Sequence, residues 1–278
     1  MRLSISNIAW DVAEDNAMVG LLHKYQVDAI DIAPGKYFAD PINASNTDIA
    51  KVKNWWGDHN IEIVGMQALL FGTQGLNVFG SEESQQAMLS HLTAVCRIAV
   101  GLGATRLVFG SPRNRDCSGL SEQKTIETAL SFFQQLADIA QQHGVIICLE
   151  PNPTHYGANF MTTTEETARI VKLIQHPSIK MQLDTGAMAI NSENVNDLLP
   201  CYSDLIGHIH ISEADLLPIG DATTNHSAIH HALAQYLPMQ VATIEMVATT
   251  SEPHLYSIER ALQHTITNYR PALQVNNI

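Results

Sequence analysis

The chain has 278 residues, 45% of them hydrophobic, which suits one large domain or two ordinary ones with a substantial core. Lys and Arg total 15 against 28 Asp and Glu, a formal net charge of −13, so the surface repels phosphate backbones, no nucleic-acid partner is expected, and the acidity serves solubility. Four cysteines without a C-x-x-C pair, an N-terminus without an apolar leader core, and no run of roughly 18 apolar residues together predict a reduced, cytoplasmic chain with neither a signal peptide nor a membrane span.

Short β-like runs alternate with longer helical ones. "RLSISNIA" (2–9) comes first, followed by "WDVAED", which has none of the glycines of a dinucleotide-binding loop. "DAIDIA" (28–33) leads into "APGKYF", and "IEIVGMQ" (61–67) ends on Gln67. A helical stretch over 81–103 carries apolar residues at three-to-four spacing and closes on glycine. "TRLVFG" (105–110) opens the loop "FGSPRNR", and a second such helix spans 122–144. "GVIICLE" (144–150), "IKMQLD" (179–184), "IGHIHIS" (206–212) and "QVATIEM" (240–246) complete eight runs. Eight βα units of about 30 residues each predict a single-domain (β/α)8 TIM barrel over residues 1–278 rather than an open doubly wound sheet.

The last four runs share one detail. Each carries a strong metal-type ligand at or near its end: Glu150, Asp184, His210 and Glu245, separated by 34, 26 and 35 residues, about one strand plus one crossover helix. Alternate strand residues face opposite sides. Cys148, Gln182, His208 and Thr243 therefore share the ligands' face, while Leu149, Leu183, Ile209 and Ile244 take the other. The mixed, polar face suits a barrel interior, and barrel active sites sit at the C-terminal strand ends. Three converging carboxylates cannot all ionise unaided. One divalent cation resolves this, and an oxygen-rich set with one imidazole suits Mn2+, Mg2+ or Co2+, with Zn2+ also compatible.

The motifs "CLEPNP", "LDTG", "GHIHISE" and "TIEM", in this order and spacing, resemble those of the xylose isomerase-like TIM barrels, in particular sugar phosphate isomerases/epimerases and ketose 3-epimerases. The resemblance covers essentially the whole chain. It implies that Glu150, Asp184, His210 and Glu245 bind one metal, with Glu150 and Glu245 also acting as acid and base. The implied reaction is isomerisation or epimerisation of a sugar, sugar acid or sugar phosphate. Proton removal next to a carbonyl would give an ene-diolate stabilised by the metal, and carboxylates on opposite faces would invert the centre. Two positions depart from the ketose 3-epimerase pattern: Ala187 stands where a histidine follows the Asp by three, and Leu216 where an arginine follows the metal His by six. Two other readings remain on the same barrel: a metal-dependent dehydratase of a polyol-derived ketone, and a sugar-binding barrel without turnover.

Further candidates gather at the same mouth. Arg113 and Arg115 are candidate anion ligands in the loop after strand four, as is Lys36 after strand two. Gln67 ends strand three facing the pocket. His208 is expected to hydrogen-bond behind the ligands rather than to ligate, and Glu213 to orient His210 or touch substrate. His226 is a candidate proton donor or contact, His155 and Tyr156 candidate mouth residues, and Trp10 and Phe71 candidates for an apolar wall. The expected partner is a small carbohydrate, and pairing into a homo-oligomer is compatible with the fold.

Overall fold

The computed structural model describes residues 1–270. Eight parallel strands close on themselves in sequence order. They are β1 (Arg2–Ser6), β2 (Ala29–Ile32), β3 (Glu62–Met66), β4 (Arg106–Phe109), β5 (Ile146–Leu149), β6 (Ile179–Asp184), β7 (Ile206–Ser212) and β8 (Val241–Glu245). Pairing of Arg2 with Val241 through Ile5 with Ile244 seals the ring. Helices α1 (Asp15–Lys24), α2 (Asn46–Asp58), α3 (Glu82–Leu102), α4 (Glu122–His143), α5 (Thr164–Ile174), α6 (Thr185–Ile190), α7 (Val195–Tyr202), α8 (His226–Tyr236) and α9 (His254–Tyr269) surround it.

The eight expected strands all form, some shorter than their apolar runs. The first stops at Ser6, because residues 7–9 turn into a tight helical loop with the Ser6 hydroxyl accepting from the Ile8 N–H at 3.4 Å. The two long helices begin and end where their caps put them. Ser81 and Ser121 accept from the Ser84 and Lys124 amides, and Gly103 and Gly144 close the C-termini with φ of 91° and 67°. Such positive φ suits glycine, and each serine cap contributes roughly 1 kcal/mol.

The two faces of the strands differ sharply. Leu3, Ile5, Ile30, Leu107, Ile147, Leu149, Leu183, Ile209 and Ile244 are buried in the apolar shell between barrel and helices. The interior face is polar: Ser4, Asp31, Gln182, His208 and Thr243 are all buried there. Polar groups inside a closed sheet require mutual partners. They find them across the ring, where His208 Nε2 lies 2.5 Å from Asp31 Oδ2 and 3.4 Å from Thr243 Oγ1. Gly65 makes room for that pair, since a Cβ at its position would lie 2.5 Å from Asp31 Oδ1. The barrel axis is thus a polar column that rises to the C-terminal mouth.

Candidate metal centre and active site

Strand parity carries four ligands to one point. Glu150 follows the last residue of β5, Asp184 and Glu245 are the last residues of β6 and β8, and His210 lies two residues before the end of β7. One donor atom from each lies within 4.8 Å of the others, and all four residues are buried. His210 Nδ1 faces Glu245 Oε2 at 3.2 Å, Glu150 Oε1 at 3.4 Å and Asp184 Oδ2 at 3.9 Å.

Glu150, Asp184 and Glu245 are each held by hydrogen bonds from neighbouring groups. The Arg115 guanidinium donates to the Glu150 carbonyl at 2.7 Å, and the Asn152 amide donates to Glu150 Oε2 at 3.1 Å. Gly110 leaves the space that Glu150 fills, because a Cβ there would sit 1.9 Å from Glu150 Oε2. Asp184 caps α6, accepting from the Ala187 N–H at 2.6 Å and from the Ser212 hydroxyl at 2.9 Å. The Gln67 amide donates to Glu245 Oε1 at 2.5 Å. Behind His210, Nε2 lies 3.9 Å from Asp31 Oδ2, which the sequence reading passed over. Its signal was an isolated Asp between Ile30 and Ile32, a charge in an apolar run that needs a partner.

The electrostatics are those of a crowded anionic cluster. Burial, reinforced by Glu245 and Glu150, pushes the Asp184 carboxyl well above the usual carboxylate range. Burial also works against a charged His210, but Glu245 and Glu150 outweigh it and hold the imidazolium well above its ordinary value. Burial would raise Glu245 as well, yet His210 and hydrogen bonds from Asp184 and Gln67 keep it low. The opposing shifts mark a site where buried like charges crowd together. A divalent cation fits the same place, because Glu150 Oε1 is buried without a hydrogen-bond partner and faces the shared centre.

The remaining candidates divide. Lys36 and Gln67 line the cavity of about 580 Å³ above the ligands, as do Tyr156 and Phe71. Lys36 Nζ donates to the carbonyls of Asn7, at 2.7 Å, and Trp10, and burial lowers its pKa. His208 sits below the ligands on Asp31. Arg115 lies behind Glu150, fully buried and turned from the cavity, so it supports a ligand's backbone where the sequence suggested an anion contact. Arg113 is exposed and absent from the cavity wall. Glu213 and His226 meet each other at 3.1 Å, away from the ligands. Burial would raise Glu213, but hydrogen bonds from His226, Thr224 and the Gly220 N–H hold it down at about 2. His226 in turn meets the Tyr269 hydroxyl at 2.9 Å, so this pair ties the loop after β7 to α8 and α9. Trp10 packs edge-on against Trp56 and donates to Asp15 at 2.8 Å, a core role rather than a wall. His155 is an outer residue, 2.7 Å from Asp215.

A closed parallel barrel with three carboxylates and an imidazole at its mouth defines a class of metal-type (β/α)8 proteins. Residues 19–266 match the family model described as xylose isomerase-like TIM barrel, and the chain belongs to that family. A putative hydroxypyruvate isomerase from Xenopus laevis is 30% identical over 98 residues, 33% of this chain and 34% of that protein, so the matched segment spans about a third of this curated relative. The crystal structure of D-psicose 3-epimerase with D-tagatose from Clostridium cellulolyticum H10 superimposes with a TM-score of 0.79 at 17% identity, covering 97% of this chain and 99% of that one. The IOLI protein, whose structure holds a zinc atom, gives 0.76 at 17% identity over 98% and 99%. Among the described residues no helix is long and apolar enough to cross a membrane.

Proposed function

We propose that this protein is a divalent-metal-dependent isomerase or epimerase acting on a hydroxy-carbonyl compound of the carbohydrate class. The observation that carries the reading is the convergence of the Glu150 and Glu245 carboxylates on His210 Nδ1, at 3.4 Å and 3.2 Å, on the wall of an open cavity. Glu150, Asp184, His210 and Glu245 would hold the ion, which when bound supplies the positive charge that offsets an ene-diolate. In this reading one glutamate takes the proton next to the carbonyl and the other returns one. Gln67 and Asn152 orient the two carboxylates, each through its amide N–H. Asp184 stays fixed by the Ala187 N–H and Ser212. The similarity to a hydroxypyruvate isomerase segment and to a sugar epimerase fold supports the same class.

The test is turnover of hydroxy-ketones in D2O by metal-loaded protein. Deuterium is expected at the carbon next to the carbonyl, and turnover that leaves this carbon unlabelled in every active substrate overturns the proton-transfer reading. Product mass separates the dehydratase, which loses water. Undiminished metal content in Asp184→Asn would remove the ion from the reading.

A further inference from the structure

The cavity wall is mostly apolar. Close to the ligands, Gln67 Oε1 and Asn152 Oδ1 are buried acceptors without a partner. The other polar side chains on the wall each carry at least one hydrogen bond within the protein. Lys36 is held by two carbonyls, the Ser111 hydroxyl donates to Asn114 at 2.6 Å, and the Tyr156 hydroxyl accepts from the Asp215 N–H at 2.9 Å. Away from the ligands the wall is carbon: Ile8, Leu69, Leu70, Phe71, Leu216 and Val247. Phe71 and Val247 expose 86% and 42% of their surface at its rim. Ala187, beside Asp184, offers a methyl group, and its N–H is already given to that carboxylate.

A ligand reaching from the ligand cluster to the rim therefore meets buried, unpartnered acceptors at its reacting end and a mostly apolar wall beyond. Each hydroxyl placed against that wall would lose water and find few partners in return, whereas each carbon would leave water for an apolar surface. Resting on the isomerase reading above, we infer that the substrate pairs a short hydroxy-carbonyl head with an aliphatic or aromatic substituent, in place of the further hydroxyl-bearing carbons of a free sugar. The head occupies the ligands, Gln67 and Asn152, and the substituent lies against Leu69, Leu70, Phe71 and Leu216.

Two probes share one head and differ in the tail: L-erythrulose, and 1,3-dihydroxy-4-phenylbutan-2-one, in which phenyl replaces the terminal hydroxyl. Calorimetry on full-length, Mn2+-loaded protein measures both affinities, and deuterium exchange at the carbon next to the carbonyl measures chemistry. The phenyl compound is expected to bind at least about tenfold more tightly. Phe71→Ser, at an exposed position that leaves folding intact, and Leu216→Ser should each shrink the ratio of affinities about fivefold. Equal or weaker binding of the phenyl compound overturns the inference. So does a ratio that neither variant changes, given native circular dichroism. Exchange in L-erythrulose alongside weak phenyl binding sinks the apolar tail and leaves the isomerase. Tight phenyl binding with no exchange in either probe sinks the isomerase and leaves the apolar subsite.

Discussion

The two halves of the barrel end differently at the mouth. The second half, β5 to β8, delivers one ligand per strand: Glu150, Asp184, His210 and Glu245. The first half contributes wall: Ile8 after β1, Ala33 after β2, Gln67 to Phe71 after β3, and Phe109 and Gly110 at β4. Ala187, Leu216 and Val247 add wall from the second half, so the scaffold gathers its charged groups on one arc and shapes the cavity from both. Burying charge is tolerable where four strands converge it on one centre, and the opposite arc leaves room for a ligand. The exceptions, Asp31 and Gln67, reach across the axis to His208 and Glu245 and support the charged half from behind.

The strongest way to break this contrast is Glu150→Gln or Glu245→Gln. Each should lower kcat by about 10²–10⁴-fold with native folding retained, read by exchange kinetics in D2O. A variant that keeps full exchange would move the acid–base work elsewhere. Next comes Asp31→Asn, which removes the carboxylate that pairs with His208 and faces His210 at 3.9 Å. Divalent-ion affinity should fall by about 10–100-fold in a calorimetric titration, although Asp31 stands on the wall-forming half. Unchanged affinity would reduce that residue to a packing role.

A smaller effect is expected in acid. The Glu213 carboxyl sits at about 2 in the folded protein against an ordinary 4.5. Its stabilising contribution is therefore present above the unfolded value and lost as the pH falls from about 4.5 to about 2. Glu213→Gln should lower stability at neutral pH and flatten the acid limb of a Tm-against-pH curve, so parallel curves would contradict the His226 pairing. The smallest is Arg113→Ala. Exposed and off the wall, it should change probe affinity by less than about twofold, as ordinary surface substitutions do. A large loss would bring that arginine into the site.

The convergence of the four candidate ligands was readable because strands obey a period of two and barrels place function at strand ends. Glu150, Asp184, His210 and Glu245 each follow from both rules. The polar contacts were harder. Arg115 and Arg113 share one loop two residues apart, and nothing local says which turns in. The loop path past Glu150 decides it, burying Arg115 under a carbonyl and leaving Arg113 in water. Glu213 stands three residues from His210, yet the loop after β7 turns it toward His226, Thr224 and Gly220. Asp31 becomes intelligible only once β2 and β7 face each other inside the ring.

By itself, then, the order of residues determined the number of strands, their inward and outward faces, the glycines that end the long helices and the meeting of four candidate ligands. All of these depend on spacing along one segment. Tertiary structure alone decided which arginine is buried, which carboxylate supports His208, and that the cavity is carbon-lined beyond Gln67 and Asn152. Those are contacts between segments far apart in the chain, and their partners are chosen by the closure of the barrel rather than by any local pattern.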